Sequence, residues 1–324
     1  MAQTEKKMLV KGTGLRQWFP IKKMFWEKQR YVKAVDGVDI EVYEGETLGV
    51  AGESGCGKST LLRTLLRVLE PTAGTIEFDG QDITKIPNRV LRPMRRDMQM
   101  IFQDPYSSLN PHMRIGDAVR EGVSQHHIVP PEQEEEYCID ILGRCGLEKS
   151  AYFRYPNEFS GGQRQRAVIA RALALRPAFV VCDEATAALD VSIQSQILNL
   201  MLDMKEQFSL TYLFISHNLE VTRAFCDEIA VMYLGKLVER GPSDEVFFRP
   251  RHPYTKALIA SLPINEPGEA RQPRQMTGSI PSMMDIPRGC RCHTRGPYAM
   301  KICTEAEPEM RDCGGGHTAA CHLL

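Results

Sequence analysis

The sequence lacks any apolar run of the ~20 residues that a helix needs to span a bilayer. Its first twenty residues also lack the apolar stretch of a signal peptide. Neither sign of charge is in excess, because the chain has 40 Lys and Arg residues and 41 Asp and Glu residues, for a net charge of −1. A neutral chain gives no electrostatic footprint for nucleic acid as the main partner. We therefore expect a protein that stays in the cytosol, at most docked on a membrane protein.

Cysteine, by contrast, is plentiful, with ten in 324 residues. Five are scattered along the chain, and five crowd its end: Cys290, Cys292, Cys303, Cys313 and Cys321. Disulfides are rare in a reducing cytosol. The clustered cysteines therefore indicate a metal or cluster site, and the scattered ones indicate small buried side chains.

Short apolar strands alternate with helices along much of the chain. Strands are predicted over 47–51, 179–182 and 210–215, and helices over 59–69 and 163–175. Strands that alternate with helices imply a mainly parallel sheet in an α/β fold. Such a sheet binds ligands at the carboxyl ends of its strands.

Other regions lie outside that core. Residues 32–43 and 75–78, with a turn at Asp79-Gly80, predict an antiparallel β layer, and 229–239 predict a hairpin. A polar, Pro-punctuated stretch over about 104–165 predicts an inserted helical subdomain, with the acidic run 132–136 on a solvated face. After Gly241 proline becomes frequent and periodicity fades. We therefore predict a domain over 1–240 and an irregular, Cys-rich C-terminal extension over 241–324.

The first motif with a chemical meaning fits the pattern G-x-x-x-x-G-K-[ST], between a predicted strand and a predicted helix. Its glycines let backbone N–H groups turn toward phosphate oxygens, and the helix N-terminus adds a partial positive charge. Lys58 is expected to reach the β- and γ-phosphates, and Ser59 to ligate Mg²⁺. The alternative is a chance match in a glycine-rich turn. The predicted nucleotide-binding residues here are Gly52, Glu53, Ser54, Gly55, Cys56, Gly57, Lys58, Ser59 and Thr60.

A carboxylate pair, Asp183 and Glu184, follows the apolar strand 179–182. An acidic residue at the end of a buried strand can hold the Mg²⁺ shell, which suits Asp183. Glu184 is then placed to polarise the attacking water as a general base. The alternative is a pair of carboxylates that merely caps the strand.

A second glycine turn, Phe159-Ser160-Gly161-Gly162-Gln163, opens the predicted helix 163–175. Small residues permit close approach of a backbone, and the helix presents its N-terminus to an anion. The loop 52–60 already provides the phosphate-binding helix end that this chain's own nucleotide needs. We therefore expect Ser160, Gly161, Gly162 and Gln163 to contact the ATP of another, similar subunit, in a head-to-tail pair.

Taken in this order, the motifs resemble the nucleotide-binding subunits of ABC transporters over residues from about 10 to 240. The resemblance implies a P-loop NTPase (RecA-like) core and a Q-loop glutamine at Gln103, which senses Mg²⁺ and faces the membrane partner. It also implies a D-loop at Ala188-Leu189-Asp190 and a switch histidine, His217, on the γ-phosphate. Phe19 is the implied adenine-stacking residue if 22–30 is an inserted loop, and Tyr31 is the alternative.

Two positions depart from that family pattern. Phe159 replaces the usual leucine of the signature turn, and Ala185 follows Glu184 where proline is common. Neither change removes a chemical group, so we expect a competent hydrolytic site.

The C-terminal part resembles the extension of the oligopeptide, dipeptide and nickel importer ATPases. The resemblance is carried by Asn110-Pro111, Gly241-Pro242, the run 250–258, Gly289-Cys290, the run 297–303 and Ala320-Cys321-His322. Relatives often carry four tail cysteines that hold a [4Fe–4S] cluster. This chain has Arg295-Gly296-Pro297 where relatives read Arg-Cys-Pro. Either Cys292 or Cys313 could be the fourth ligand beside Cys290, Cys303 and Cys321, or the site has degenerated and holds no cluster.

The sequence thus predicts an ATPase that uses MgATP to power an importer, with peptides as the first choice of solute and nickel or other metal chelates as the next. The resemblance implies two transmembrane permease subunits, a second related ATPase and an extracytoplasmic solute-binding protein as partners, at the cytoplasmic face of the inner membrane. Two rivals are a soluble ABC ATPase acting on nucleic acid or ribosomes and a P-loop kinase. The first often has long coiled coils or two cassettes in one chain, and the second needs neither the second glycine turn nor His217.

Overall fold

The computed structural model describes residues 6–22, 26, 29–186, 189–262 and 276–324. Its contacts divide the chain into two compact units. The first unit consists mainly of residues 86–216, with 43–46. The second unit consists of residues 8–42, 47–85 and 217–324.

The strands and helices are numbered in chain order. The strands are β1 (Met8–Pro20), β2 (Tyr31–Tyr43), β3 (Thr47–Ala51), β4 (Ala73–Phe78), β5 (Gln81–Asp82), β6 (Met98–Ile101), β7 (Phe179–Asp183), β8 (Thr211–Ile215), β9 (Glu228–Tyr233), β10 (Lys236–Pro242), β11 (Arg311–Asp312) and β12 (Thr318–Ala319). The helices are α1 (Lys58–Leu65), α2 (Asn88–Met94), α3 (Pro105–Ser108), α4 (Ile115–Gln125), α5 (Glu134–Arg144), α6 (Gly161–Leu173), α7 (Val191–Phe208), α8 (Leu219–Phe225), α9 (Ser243–Phe248), α10 (Pro253–Ala260) and α11 (Lys301–Glu305).

An antiparallel sheet with the order β2-β1-β4-β5 forms one layer of the second unit. The predicted strands 32–43 and 75–78 are β2 and β4. The turn after β4 has positive φ at Asp79 (48°) and Gly80 (75°), as a tight hairpin of type I′ requires. The prediction missed β1, because the register shifts between Thr13 and Arg16 and interrupts the alternation on which strand prediction depends.

The strands that the sequence predicted to end in polar residues are parallel to their neighbours in the structure. In the first unit β6, β7 and β8 run parallel, with Ile101 opposite Cys182 and Cys182 opposite Phe214. In the second unit β3 runs parallel to β9, and β9 pairs with β10 in the predicted hairpin. β3, β7 and β8 are buried along their whole length, which explains their unbroken apolar runs.

The helices follow the predictions with small shifts. α1 ends at Leu65 and not at 69, because Arg67 takes a left-handed φ of 52° that a helix cannot continue through. The stretch 104–165 contains α3, α4 and α5, as predicted for the helical subdomain. Three glutamates, 134 to 136, occupy the first turn of α5, where the helix dipole favours negative charge. Among the described residues, no helix is long and apolar enough to cross a membrane.

The C-terminal extension is more regular than expected. Helices α9 and α10 follow β10 directly, and the chain end returns so that β12 pairs antiparallel with β10, Glu239 opposite Ala319. Strands of two residues leave no readable alternation in a sequence, so β11 and β12 could not be foreseen. Buried apolar residues of the extension pack with the β9–β10 hairpin in one cluster of the second unit.

Candidate functional site

The glycine-rich loop 52–57 joins β3 to α1 in the second unit. Two of its glycines are required by close backbone approach. A Cβ at Gly52 would lie 2.2 Å from the carbonyl oxygen of Met232, and a Cβ at Gly57 would lie 2.0 Å from that of Ala34. Gly57, with φ of 111°, also turns the chain into α1. Within the described residues no side chain caps that helix N-terminus, whose partial positive charge attracts an anionic ligand.

Lys58 is buried at the first position of α1, with 5% of its surface exposed. Its ammonium donates hydrogen bonds to the carbonyl oxygens of Gly52 (2.7 Å) and Glu53 (3.0 Å). The loop thus coils around the charge that a phosphate would meet. Cys56 belongs to the same loop, and burial of its side chain raises the pKa of the thiol. Ser59 and Thr60 are half-buried, while Ser54 and Gly55 at the tip are exposed.

Glu53 is fixed by two side chains from the C-terminal extension, which the sequence did not suggest. Its backbone N–H donates to the hydroxyl of Tyr254 (2.9 Å). Its carboxylate accepts two hydrogen bonds from the guanidinium of Arg295, at 2.9 and 3.2 Å. Arg295 lies 242 positions from Glu53, so no local pattern of residues could have indicated the pair.

The predicted switch histidine and the two candidates for stacking on the adenine lie in exposed positions of the second unit. His217 is exposed, one residue before Asn218, which caps α8. Phe19 (36% exposed) and Tyr31 (37%) lie at the end of β1 and the start of β2. The ring of Trp18 is 6.0 Å from that of Tyr31. Part of the predicted loop 22–30, residues 23–25, 27 and 28, lies outside the described residues.

In the first unit the carboxylate pair lies where β7 ends. Asp183 is buried and is the last residue of the strand. Glu184 follows with a left-handed φ of 52°, and its N–H donates to the carbonyl of Ile215 at the end of β8 (3.1 Å). A non-glycine residue in that region of φ is uncommon and marks a position held by its surroundings.

Gln103 lies beside Glu184. Ile101 and Cys182 form the last pair of β6 with β7, and Gln103 and Glu184 each lie two positions beyond that pair. The Gln103 amide then donates a hydrogen bond to the Glu184 carboxylate, Nε2 to Oε2, at 2.9 Å. The sequence indicated both side chains, but not that they would touch.

The second glycine turn starts α6 with a reciprocal capping box. The Ser160 hydroxyl accepts from the N–H of Gln163 (3.3 Å), and the Gln163 side chain accepts from the N–H of Ser160 (3.1 Å). Ser160 and Gln163 are exposed, and Gly161 and Gly162 are half-buried. A Cβ at Gly162 would lie 2.7 Å from Cγ2 of Ile193 on α7.

Asp190 caps the N-terminus of α7. Its carboxylate accepts from the N–H of Ile193 (3.0 Å) and from the Ser192 hydroxyl (2.9 Å). These hydrogen bonds, the one from Ile193 first, lower the pKa of the exposed Asp190 carboxyl below its ordinary value of 3.8. Ala188 of the predicted D-loop lies outside the described residues.

Four of the five clustered cysteines line one small cavity of about 30 Å³ in the extension: Cys290, Cys292, Cys303 and Cys321. Cys313 is half-buried elsewhere. Gly296 borders the same cavity, and a Cβ there would be 3.8 Å from the sulfur of Cys292. Burial raises the pKa of Cys292 to about 12. Among the described residues, no three Cys, His, Asp or Glu side chains are placed to hold one metal ion.

The scattered cysteines are all buried as predicted, and none of the ten forms a disulfide. They are Cys56, Cys138, Cys145, Cys182 and Cys226.

Two family models match the chain. One, described as ABC transporter, covers residues 35–187, and one, described as the C-terminal region of oligopeptide/dipeptide transporters, covers residues 238–303. The chain is similar to the oligopeptide transport ATP-binding protein AppF of Bacillus subtilis, at 45% identity over 100% of this chain and 99% of the relative. It is also similar to the dipeptide transport ATP-binding protein DppF of Escherichia coli, at 42% identity over 95% and 92%.

Among solved structures, the fold is similar to the ATP-binding cassette MJ0796 in a dimeric post-hydrolysis state bound to ADP and Pi. The TM-score is 0.64 at 28% identity, and the match covers 72% of this chain and 99% of that one.

Proposed function

The chain belongs to the ABC transporter family, among the ATP-binding proteins of its oligopeptide and dipeptide transporters, and from that membership we propose a role for each residue of its nucleotide site. It is an ATPase with the P-loop ABC fold, and it powers an importer for di- or oligopeptides. The nickel and nucleic-acid alternatives are not favoured, because the named relatives at 42–45% identity carry peptide names.

The proposed binding roles start from MgATP. Backbone N–H groups of the loop 52–60 bind the phosphates at the N-terminus of α1, and the buried Lys58 ammonium pairs with the β- and γ-oxygens. The Ser59 hydroxyl and the Asp183 carboxylate complete the Mg²⁺ shell, with Gln103 as a further oxygen ligand. The Lys58 ammonium already lies between two loop carbonyls, which supports its role as a preplaced charge.

One observation carries the hydrolytic proposal: the hydrogen bond from Gln103 to Glu184. An amide that donates to one carboxylate oxygen fixes the side chain and leaves the other oxygen to accept a proton from water. We assign Glu184 as the general base and Gln103 as the residue that orients it. The exposed His217 then contacts the γ-phosphate, and Phe19 stacks on the adenine, with Tyr31 as the alternative.

The exposed turn at Ser160–Gln163 is proposed to contact ATP bound by a second ABC subunit. Its capping box satisfies the N–H groups of Ser160 and Gln163, while the Ser160 hydroxyl proton stays available for a phosphate oxygen. The proposed cycle is closure of two cassettes on ATP and reopening after hydrolysis removes the γ-phosphate contact. Asp190, at the start of α7, belongs to the same proposed interface as the D-loop residue.

A [4Fe–4S] cluster remains a prediction that the residues do not fit as they stand. Four buried cysteines support it. Against it, no three Cys, His, Asp or Glu side chains among the described residues are placed to hold one metal ion. No step of the mechanism is derived through a cluster. Iron and acid-labile sulfide, assayed on anaerobically purified protein, decide the question: stoichiometric amounts of both require the loop to rearrange, and absence of both removes the cluster.

We also propose domain boundaries and partner proteins for this chain. The ATPase domain over 1–240 and the extension over 241–324 are supported by the two matched segments, 35–187 and 238–303. Two permeases, a second ABC ATPase and an extracytoplasmic binding protein are the proposed partners, at the cytoplasmic membrane face. Affinity purification of the Glu184→Gln chain from native membranes with ATP tests this. Two polytopic proteins and a second ATPase support it, while ribosomes or nucleic acid contradict it.

The hydrolytic roles are tested in the purified chain by a matched pair of substitutions. Glu184→Gln keeps the hydrogen-bonding shape but cannot accept the proton, so we expect ATP binding to persist and turnover to be lost. Glu206→Gln changes an exposed carboxylate on α7 and should leave turnover at the wild-type rate. Wild-type turnover in Glu184→Gln removes Glu184 from the role of base.

A further inference from the structure

The phosphate-binding loop contains an acidic side chain, Glu53, next to the position of a ligand with several negative charges. A free carboxylate there would repel the phosphates and would compete with them for the ammonium of Lys58. The Glu53 carbonyl accepts directly from that ammonium (3.0 Å), so the residue and the lysine are in contact. The chain must therefore neutralise or redirect the Glu53 side chain before a nucleotide binds well.

Arg295 of the extension supplies that neutralisation. Its two terminal nitrogens donate to the two carboxylate oxygens of Glu53, the parallel geometry in which guanidinium–carboxylate pairs are strongest. The Arg295 side chain is 10% exposed and that of Glu53 28%. Partial burial protects the pair from screening by salt better than a surface pair is protected.

The guanidinium is held in place by the turn that carries it. The N–H of Arg295 donates to the carbonyl of Cys292 (3.1 Å), and the carbonyl of Arg295 accepts from the N–H of Thr277 (3.1 Å). The side chain lies 6.0 Å from the ring centroid of Tyr233. Tyr233 in turn packs on Tyr254, whose hydroxyl accepts from the Glu53 N–H. Two separate parts of the extension thus converge on one residue of the loop.

We infer that Arg295 is a positioning residue for nucleotide binding: it neutralises Glu53 and draws that carboxylate away from the phosphates and from Lys58. The inference rests on the proposed ATP site and gives the extension a direct part in it. Arg295 does not touch the nucleotide. Its effect passes through Glu53, so removal of the Glu53 charge must cancel the loss of Arg295.

The test uses the full chain and four variants, with binding of MgADP measured by calorimetry and ATPase kinetics measured beside it. In Arg295→Gln we expect the Kd for MgADP and the KM for ATP to rise about tenfold, with kcat nearly unchanged, since ground-state binding is lost. The defect should shrink as salt rises, because it is a repulsion between charges. Arg223→Gln, which breaks an exposed pair with Asp244, is the matched control and should bind like the wild type.

The double variant Glu53→Gln/Arg295→Gln decides the mechanism. We expect it to bind MgADP within about twofold of Glu53→Gln alone, because without the Glu53 carboxylate the loss of Arg295 leaves no charge to repel the phosphates. Glu53→Gln alone is therefore the reference against which the double variant is compared. If the double variant binds as weakly as Arg295→Gln, or if Arg295→Gln binds like the wild type, the inference is overturned.

Two further results keep the test interpretable. Should Arg295→Gln fail to fold, Arg295→Lys keeps the charge without the fork, and we expect an intermediate Kd that Glu53→Gln again restores. The inference is contradicted if Arg295→Lys binds MgADP much more weakly than the wild type and the added Glu53→Gln substitution does not restore the affinity. Failure of the wild-type chain itself to bind MgADP is a separate result, which contradicts the nucleotide site and not the Arg295–Glu53 coupling alone.

Discussion

Helices α1 and α6 each start at a glycine turn, but the two turns differ in how side chains cap the helix. At α1 Gly57 precedes the helix with no side-chain cap among the described residues, and a buried Lys58 lies within the loop. At α6 the capping box gives the N–H groups of Ser160 and Gln163 a side-chain acceptor each. The second turn thus supplies side-chain acceptors of its own, and the first does not.

That difference separates a site that holds its own nucleotide from a surface that recognises another subunit's. A helix N-terminus without a side-chain cap is suited to bind a phosphate of its own nucleotide. A capped and exposed end is stable alone, and it still offers the Ser160 hydroxyl proton to a phosphate oxygen.

Lys58→Ala should have the largest effect, because it removes the buried charge around which the first turn is built. We expect nucleotide binding to be lost and hydrolysis to fall by roughly 10²–10³, the range for removal of one preplaced electrostatic donor. Calorimetry with MgATP and a phosphate-release assay measure both. Lys301→Ala, an exposed lysine of α11, is the control, and measurable MgATP affinity in Lys58→Ala would show that the loop binds phosphate without it.

Ser160→Asp should separate the two turns next. Asp caps helices as well as Ser does, so the fold and binding of MgATP to the isolated chain should be kept. A carboxylate facing a triphosphate repels it, so turnover in the assembled transporter should fall at least about tenfold. Turnover equal to the wild type in the assembled complex would mean that Ser160 faces no nucleotide.

Ser160→Ala removes the cap itself and should cost about 1 kcal/mol, which lowers Tm by a few degrees. Thermal unfolding of the isolated chain measures it. Ser150→Ala, at an exposed position of the same unit, is the matched control and should leave Tm unchanged. Equal Tm values for Ser160→Ala and the wild type would show that the capping box adds nothing to stability.

The smallest effect is a pH dependence at the cap of α7. Hydrogen bonds from Ile193 and Ser192 lower the pKa of Asp190 below 3.8. The depressed carboxyl stabilises the folded state above that ordinary value, and its contribution is lost as the pH falls through the lower, folded pKa. The measurement is amide exchange in the first turn of α7, taken as the ratio of the protection in the wild type to that in Asp190→Asn at the same pH. This ratio should stay constant down to about pH 4 and decrease at lower pH. A constant ratio to pH 2.5, well below 3.8, would contradict the shift.

Features that depend on neighbouring residues could be predicted from the sequence, and features that depend on residues far apart in the chain could not. The strands β3, β7 and β8 are unbroken apolar runs, and the residues of the two glycine turns and the carboxylate pair are contiguous, so pattern alone located them. The 2.9 Å contact of Gln103 with Glu184 depends on the register of β6 against β7, which periodicity does not encode. Strand β1 was missed for its register shift, and Arg295 for its distance along the chain from Glu53.

We propose above all that this chain binds ATP at its own loop 52–60 and contacts a second ATP through Ser160–Gln163. Vanadate-trapped MgADP, irradiated in the complex purified from native membranes, cleaves backbone next to the γ-phosphate position and so tests the claim directly. We predict two cuts in this chain, one in the loop 52–60 and one near Ser160, and only the first cut when the chain is isolated. A single cut at the loop 52–60 in the assembled complex would contradict the claim.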